Sequence, residues 1–197
     1  MGELSSIILA GGKSTRMGFD KQLLKIEDEL IVKYLGKILK NHFKEVVVVT
    51  NTPELYHGEK FILTKDIYPG LGPLAGIHAG LEKITTKGAF VIACDMPNIS
   101  EEFIEHIKSL FFEKKVKGVV SKVNGFIEPM NGIYSKVLFE DLENRLKSRN
   151  LKLKNLIDDN NFYIIEEEKI RNMEMGFEIF RNINDKIELD NYLKRKA

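Results

Sequence analysis

A second cysteine, long apolar runs and an excess of one charge are all missing from this chain of 197 residues, and each absence removes a class of protein. Cys94 is the single cysteine, so an intramolecular disulfide is impossible and a cytoplasmic setting is expected. The 30 basic and 29 acidic residues leave a net charge of +1. A general nucleic-acid binder is usually strongly basic, so none is expected, although a local cationic pocket is still allowed. No segment approaches the roughly 20 apolar residues of a membrane span. Acidic Glu3 ahead of a short apolar stretch argues against a signal peptide. His42, His57, His78 and His106 have no metal-ligand spacing. Without an internal repeat, low-complexity tract or linker, the chain is expected to form one domain over 1–197.

What is there alternates between strand and helix patterns. Residues 4–10, 46–50 (a β-branched run), 61–63 and 89–94 read as strands. Helices are expected over 31–42, 73–84, 101–112, 135–147 and 185–194, with a short one over 151–157. Pro73 suits a first helical position, and Ser100 suits an N-cap before Glu101 and Glu102. Later strands are expected over 118–122, 126–134 and 162–165, with a turn at Asn124-Gly125 and another strand near 177–180. This pattern gives an α/β fold, a mainly parallel sheet covered by helices on both faces, with some antiparallel strands in the second half. Ligands of such sheets bind beyond the carboxyl ends of the strands. Gly11, Asn51, Asp66 and Asp95 each follow an expected strand, so the fold can bring them together.

The loop after the first strand is the strongest chemical signal. Gly11-Gly12 lets backbone N–H groups approach a phosphate, and Lys13, Arg16 and Lys21 add three cations. Solvated cations on a surface turn are the bland alternative. A Walker A loop is excluded, because the glycine required five positions before its Gly-Lys is Ile7 here. The run Gly70-Leu71-Gly72-Pro73-Leu74-Ala75-Gly76 is no dinucleotide fingerprint either, since its third glycine is one place late.

The other candidates have two readings each. Asp95 ends a strand before Met96-Pro97, where it can hold Mg²⁺ or cap a turn. Asn51 and Asp66 can bind a ribose or base, or close turns. Asn184 can offer a carbonyl to a metal, or one of Asn184 and Asp185 can cap the last helix. His78 and Cys94 read as packing residues, and Glu166-Glu167-Glu168 as a solvated face.

Taken together, these residues resemble the molybdenum cofactor guanylyltransferase family. The signature from Leu9 through Lys21-Gln22-Leu23-Leu24, the block Gly72 to Gly76 and the block Cys94-Asp95-Met96-Pro97 carry the resemblance in order. Glu128-Pro129 and Asn182-Ile183-Asn184 extend it over nearly the whole chain. The resemblance implies a Rossmann-like nucleotidyltransferase fold, a three-layer α/β/α sandwich. The N-terminal half would bind nucleotide and the C-terminal half the acceptor. It implies transfer of GMP from GTP to molybdopterin, or its molybdenum-loaded form, with release of pyrophosphate and with Mg²⁺ as cofactor. Cofactor-delivery or acceptor-enzyme partners are implied as well. By resemblance, Leu9, Ala10, Gly11 and Gly12 meet the nucleotide, Lys21 holds phosphate, and Asn51 and Asp66 bind the nucleoside. Asp95 would bind nucleotide and Mg²⁺, Asn184 the metal, and Arg16 and Lys21 would neutralise the triphosphate. Glu128 and Asn131 are candidates for the pterin side.

The acceptor is already an anionic phosphate, so no general base is needed, and charge neutralisation with in-line positioning carries the chemistry. Rival readings are a molybdopterin cytidylyltransferase, a transferase to another phosphate acceptor, and a non-catalytic nucleotide-binding module. The Leu9-Ala10-Gly11-Gly12 form resembles guanylyl rather than cytidylyl enzymes, and keeping both Lys21 and Asp95 weighs against a mere binding module.

Overall fold

The computed structural model describes residues 3–11 and 21–196. Among the described residues there are nine strands: β1 (Ser5–Leu9), β2 (Lys25–Ile26), β3 (Glu29–Leu30), β4 (Val46–Val49), β5 (Ile62–Thr64), β6 (Gly88–Ala93), β7 (Gly118–Val123), β8 (Phe126–Ser135) and β9 (Phe162–Ile165). Seven join in one sheet of order β5-β4-β1-β6-β8-β7-β9. Only β8 runs antiparallel to its neighbours β6 and β7; the remaining pairs are parallel. Strands β4, β1 and β6 are almost wholly buried because Ile7, Ile8, the run Val46 to Val49 and Val91 are apolar on both faces.

Between them lie α1 (Ile31–Leu39), α2 (Pro73–Lys83), α3 (Glu101–Lys114), α4 (Phe139–Lys147), α5 (Leu153–Asp158), α6 (Glu167–Arg171) and α7 (Lys186–Lys196). The chain leaves β1 through α1 toward β4 on one side, then returns from β5 through α2 to β6 on the other. Right-handed crossovers in opposite directions put α1 and α2 on opposite faces of the sheet. Helix α4 packs beside α2. Helix α3 lies with α1, where Lys108 Nζ donates to the His42 carbonyl and sits over the Phe43 ring. The result is the expected α/β/α sandwich, and the direction of winding reverses at the carboxyl end of β1.

Two glycines let α2 lie against β1. A Cβ at Gly80 would come within 2.7 Å of Ile7 Cδ1, and one at Gly76 within 2.9 Å of Leu9 Cδ2. Ser100 caps α3 by accepting the Phe103 N–H, as its position predicts. The β7–β8 turn has left-handed Asn124 (φ 50°) and Gly125 (φ 84°), as two-residue hairpins require.

Four segments differ from expectation. Residues 177–180 form a 3-10 turn (Gly176–Phe180), not a strand. Local bonds from Glu178 N to Met175 O and from Arg181 N to Glu178 O close that turn. Strand β8 keeps Ser135 by pairing it with Gly88, so α4 begins only at Phe139 after a 3-10 turn. The β2–β3 hairpin, turning through left-handed Glu27 and Asp28, gave no periodic signal because its strands are two residues each. In the acidic run at the start of α6, Glu166 and Glu168 are exposed as expected, and only Glu167 departs, half-buried and accepting the Gly125 N–H.

Candidate active site

The reversal point is occupied by the residues the first strand delivers. Ala10 donates its N–H to the Val49 carbonyl, and Cys94 N donates to the Leu9 carbonyl. The ends of β1, β4 and β6 are thereby locked side by side, with Gly11, Asn51 and Asp95 beyond them. A Cβ on Gly11 would lie 3.8 Å from Asn51 Nδ2. Gly12, Lys13 and Arg16 lie outside the described residues.

Three polar side chains from distant parts of the chain meet here. Lys21 Nζ donates to Asp95 Oδ2 at 2.5 Å and to Asn184 Oδ1 at 3.0 Å. The Lys21 and Asp95 side chains are 21% and 15% exposed, so the pair is sheltered but reachable. Two oxygens, one of them anionic, therefore already converge on one cationic centre. That is the donor set a hard divalent cation takes, with substrate phosphates and water filling its other positions. Asn184 is available for this role because its neighbour does the capping. Asp185 Oδ1 accepts the Glu188 N–H, and Glu188 Oε2 accepts the Asn184 N–H.

Asp66 lies against the start of α2, its Oδ1 3.7 Å from where a Gly76 Cβ would stand. That oxygen is buried with no hydrogen-bond partner among the described residues, and burial raises the carboxyl pKa above its ordinary value. An acceptor held out of water without a donor is suited to an N–H or O–H of a ligand. Glu128 lies within electrostatic reach of Asp95. Burial is the main cause of its raised pKa, the negative charge of Asp95 adds to it, and the Met130 N–H on Oε1 at 2.8 Å works the other way. Strand β8 projects Glu128 past the last paired residue of β6, because Val119 faces Ile133 while Ser121 faces Glu128 across a bulge.

The structure departs from expectation at Asn131. It is 2% exposed, and its Nδ2 donates to the Ile179 carbonyl, so it does not face an acceptor. His78 and Cys94 are buried as packing residues. The His78 ring stacks on Phe139 at 4.4 Å between centroids and meets Tyr68 edge-on, and burial lowers its pKa.

Sequence reasoning passed over Gln22. Its Oε1 accepts hydrogen bonds from Thr50 Oγ1 (2.6 Å), Tyr56 (3.0 Å) and Thr52 Oγ1 (3.3 Å). These bonds pin the residue after Lys21 to the end of β4. A glutamine inside the signature was the available signal, but its partners are remote in sequence.

A family model, the MobA-like NTP transferase domain, matches residues 6–161. The chain belongs to the MobA-like NTP transferase family. Among relatives of this nucleotidyltransferase, the probable molybdenum cofactor guanylyltransferase of Peptoclostridium acidaminophilum is 37% identical over 193 residues, covering 95% of this chain and 87% of the relative. The molybdenum cofactor guanylyltransferase of Syntrophotalea carbinolica is 31% identical, covering 97% and 91%. In fold, the MobA-like chain is similar to the molybdopterin-guanine dinucleotide biosynthesis protein A of Archaeoglobus fulgidus. The TM-score is 0.84 at 22% identity, over 98% of both chains. Members of such nucleotidyltransferase families typically use a divalent metal. Among the described residues no helix is long and apolar enough to cross a membrane.

Proposed function

We propose that this protein transfers GMP from GTP to the terminal phosphate of molybdopterin, or of its molybdenum-loaded form, in the cytoplasm. The observation that carries the proposal is the meeting of Lys21, Asp95 and Asn184 at the carboxyl ends of β1 and β6. The family and the names of its relatives supply the substrates. An acceptor phosphate oxygen forms the new bond to the α-phosphorus of GTP. The bond from that phosphorus to the bridging oxygen breaks, and pyrophosphate leaves with the oxygen.

Within this reading, Leu9, Ala10, Gly11 and Gly12 border the nucleotide, and Asn51 and Asp66 take the nucleoside. Asp95 and Asn184 would hold Mg²⁺, which when bound supplies Lewis acidity at the α-phosphate. Lys21, with Arg16, would neutralise the triphosphate and the departing pyrophosphate. Glu128 borders the acceptor side. The N-terminal half of one domain thus serves GTP and the second half serves the pterin.

Calorimetric titration with GTP and CTP in the presence of Mg²⁺, followed by a pyrophosphate-release assay with molybdopterin, tests the proposal. GTP-selective binding and acceptor-dependent release are expected. CTP selectivity would move the assignment to cytidylyl transfer. Asp95→Asn should lower turnover about 10²–10³-fold while the protein remains folded. Undiminished Mg²⁺-dependent turnover in that variant would refute the role of Asp95.

A further inference from the structure

Asn184 reaches the site at the end of a segment that has no strand partner. Two buried asparagines hold that segment instead. Asn98, three residues after Asp95 in the same loop, donates from Nδ2 to the Glu178 carbonyl at 2.8 Å. Asn131, in the β8 bulge, donates from Nδ2 to the Ile179 carbonyl at 2.6 Å. Two consecutive carbonyls are thus gripped from two different elements. Downstream, Ile179, Phe180 and Ile183 are buried, with Phe180 edge-on to Phe103. The Ile183 N–H then donates to the carbonyl of Asp95 itself at 2.7 Å. The next residue is Asn184, whose Oδ1 accepts from Lys21.

The bulge around Asn131 is itself fixed on several sides. Tyr134 donates its hydroxyl to the Pro129 carbonyl at 2.9 Å, and Glu128 accepts the Met130 N–H. Asn131 has a left-handed backbone (φ 52°), which glycine would also adopt without strain. Backbone conformation alone therefore does not call for asparagine; the buried amide donor does.

We propose that Asn98 and Asn131 are positioning residues that register the segment 178–184 against the Asp95 loop, so that Asn184 Oδ1 stands opposite Asp95. The inference rests on the reading of Asp95 and Asn184 as the metal pair. Without the Asn131 amide the buried Ile179 carbonyl loses its side-chain donor, and without the Asn98 amide the Glu178 carbonyl keeps only the Arg181 N–H, so the segment gains slack. A displacement of about 1 Å at a catalytic centre can cost about 10²-fold in rate.

The test uses Asn131→Gly, which keeps the backbone conformation and removes only the amide, and Asn98→Ala. Each is combined with Asn184→Ala. Mn²⁺ binding is followed by electron paramagnetic resonance with GTP present, alongside kcat, KM and amide hydrogen exchange at Ile183. Each single variant should exchange the Ile183 amide faster, bind Mn²⁺ about tenfold more weakly and lose kcat rather than KM. In the Asn184→Ala background neither should weaken Mn²⁺ further. Effects that add in full to Asn184→Ala, or Ile183 exchange unchanged in both singles, would overturn the proposal. If Asn184→Ala alone leaves Mn²⁺ binding intact, the metal reading of Asn184 fails, and Ile183 exchange still decides whether the tethers hold the segment. If one variant does not fold, the other carries the same test, since each severs one tether.

Discussion

Asp66 holds a buried oxygen with no partner among the described residues, and that makes it a cost to the fold as well as the nucleoside ligand proposed above. Its raised folded-state pKa means that the native protein keeps this proton longer than the unfolded chain does. Stability contributed by the protonated form is full below the unfolded value of about 3.9 and is lost as pH rises through the folded value. Asp66→Asn should therefore raise the melting temperature at neutral pH, with the gain shrinking toward acid. It should also weaken GTP binding about tenfold, as expected when a hydrogen bond to a charged group is lost. Thermal unfolding across pH, paired with calorimetry, checks both halves. Lys21 gives a second prediction at this scale. Its ammonium occupies the space between Asp95 and Asn184. Lys21→Ala should tighten Mn²⁺ binding to the nucleotide-free protein yet lower turnover by about 10²–10³. Weaker Mn²⁺ binding in this variant would show that the lysine does not compete for those oxygens. Lys21, Asp66 and Asp95 were legible in the sequence because each is a charged group just beyond a strand or in the glycine loop. Gln22 and Asn98 were not, because an amide announces nothing until its partners fold against it.

Helix α2 shows how an element can be read correctly and still be misjudged in detail. Its start at Pro73 was expected, but nothing in its periodicity marked Gly76 and Gly80 as the face pressed on β1. A methyl at Gly80 would meet three carbons of Ile7, a fully buried residue with nowhere to move. Gly80→Ala should cost about 1–3 kcal/mol from overpacking, partly offset by about 1 kcal/mol of better helix propensity. Urea unfolding of the variant measures the difference, and a net stabilisation would mean that the contact relaxes freely. The segment 177–180 failed as a strand for a different reason. Its apolar residues do face the core, but side-chain amides rather than a neighbouring strand take two of its carbonyls. Burial and strand formation look alike in a short apolar run.

Across the whole molecule, near-neutral charge coexists with a site built from local charge. GTP with Mg²⁺ at a hundred times its Kd should stabilise the fold by about 2.7 kcal/mol, read as a rise in the unfolding midpoint. Asp66→Asn and Asn184→Ala should reduce that rise, and a full rise in both would separate nucleotide binding from these residues. The sequence by itself determined the class of fold, because β-branched runs and amphipathic helices alternate along it, and chain handedness leaves few ways to wind them. It also pointed to the candidate chemistry after β1, because the glycine pair and its cations lie within one short stretch. Only the tertiary structure decided that β8 would lie beside β6 and bulge, that Asn131 would face inward and that Asn184 would reach Lys21. Those outcomes depend on contacts between remote segments, whose hydrogen bonds form only once the sheet has set the distances between them.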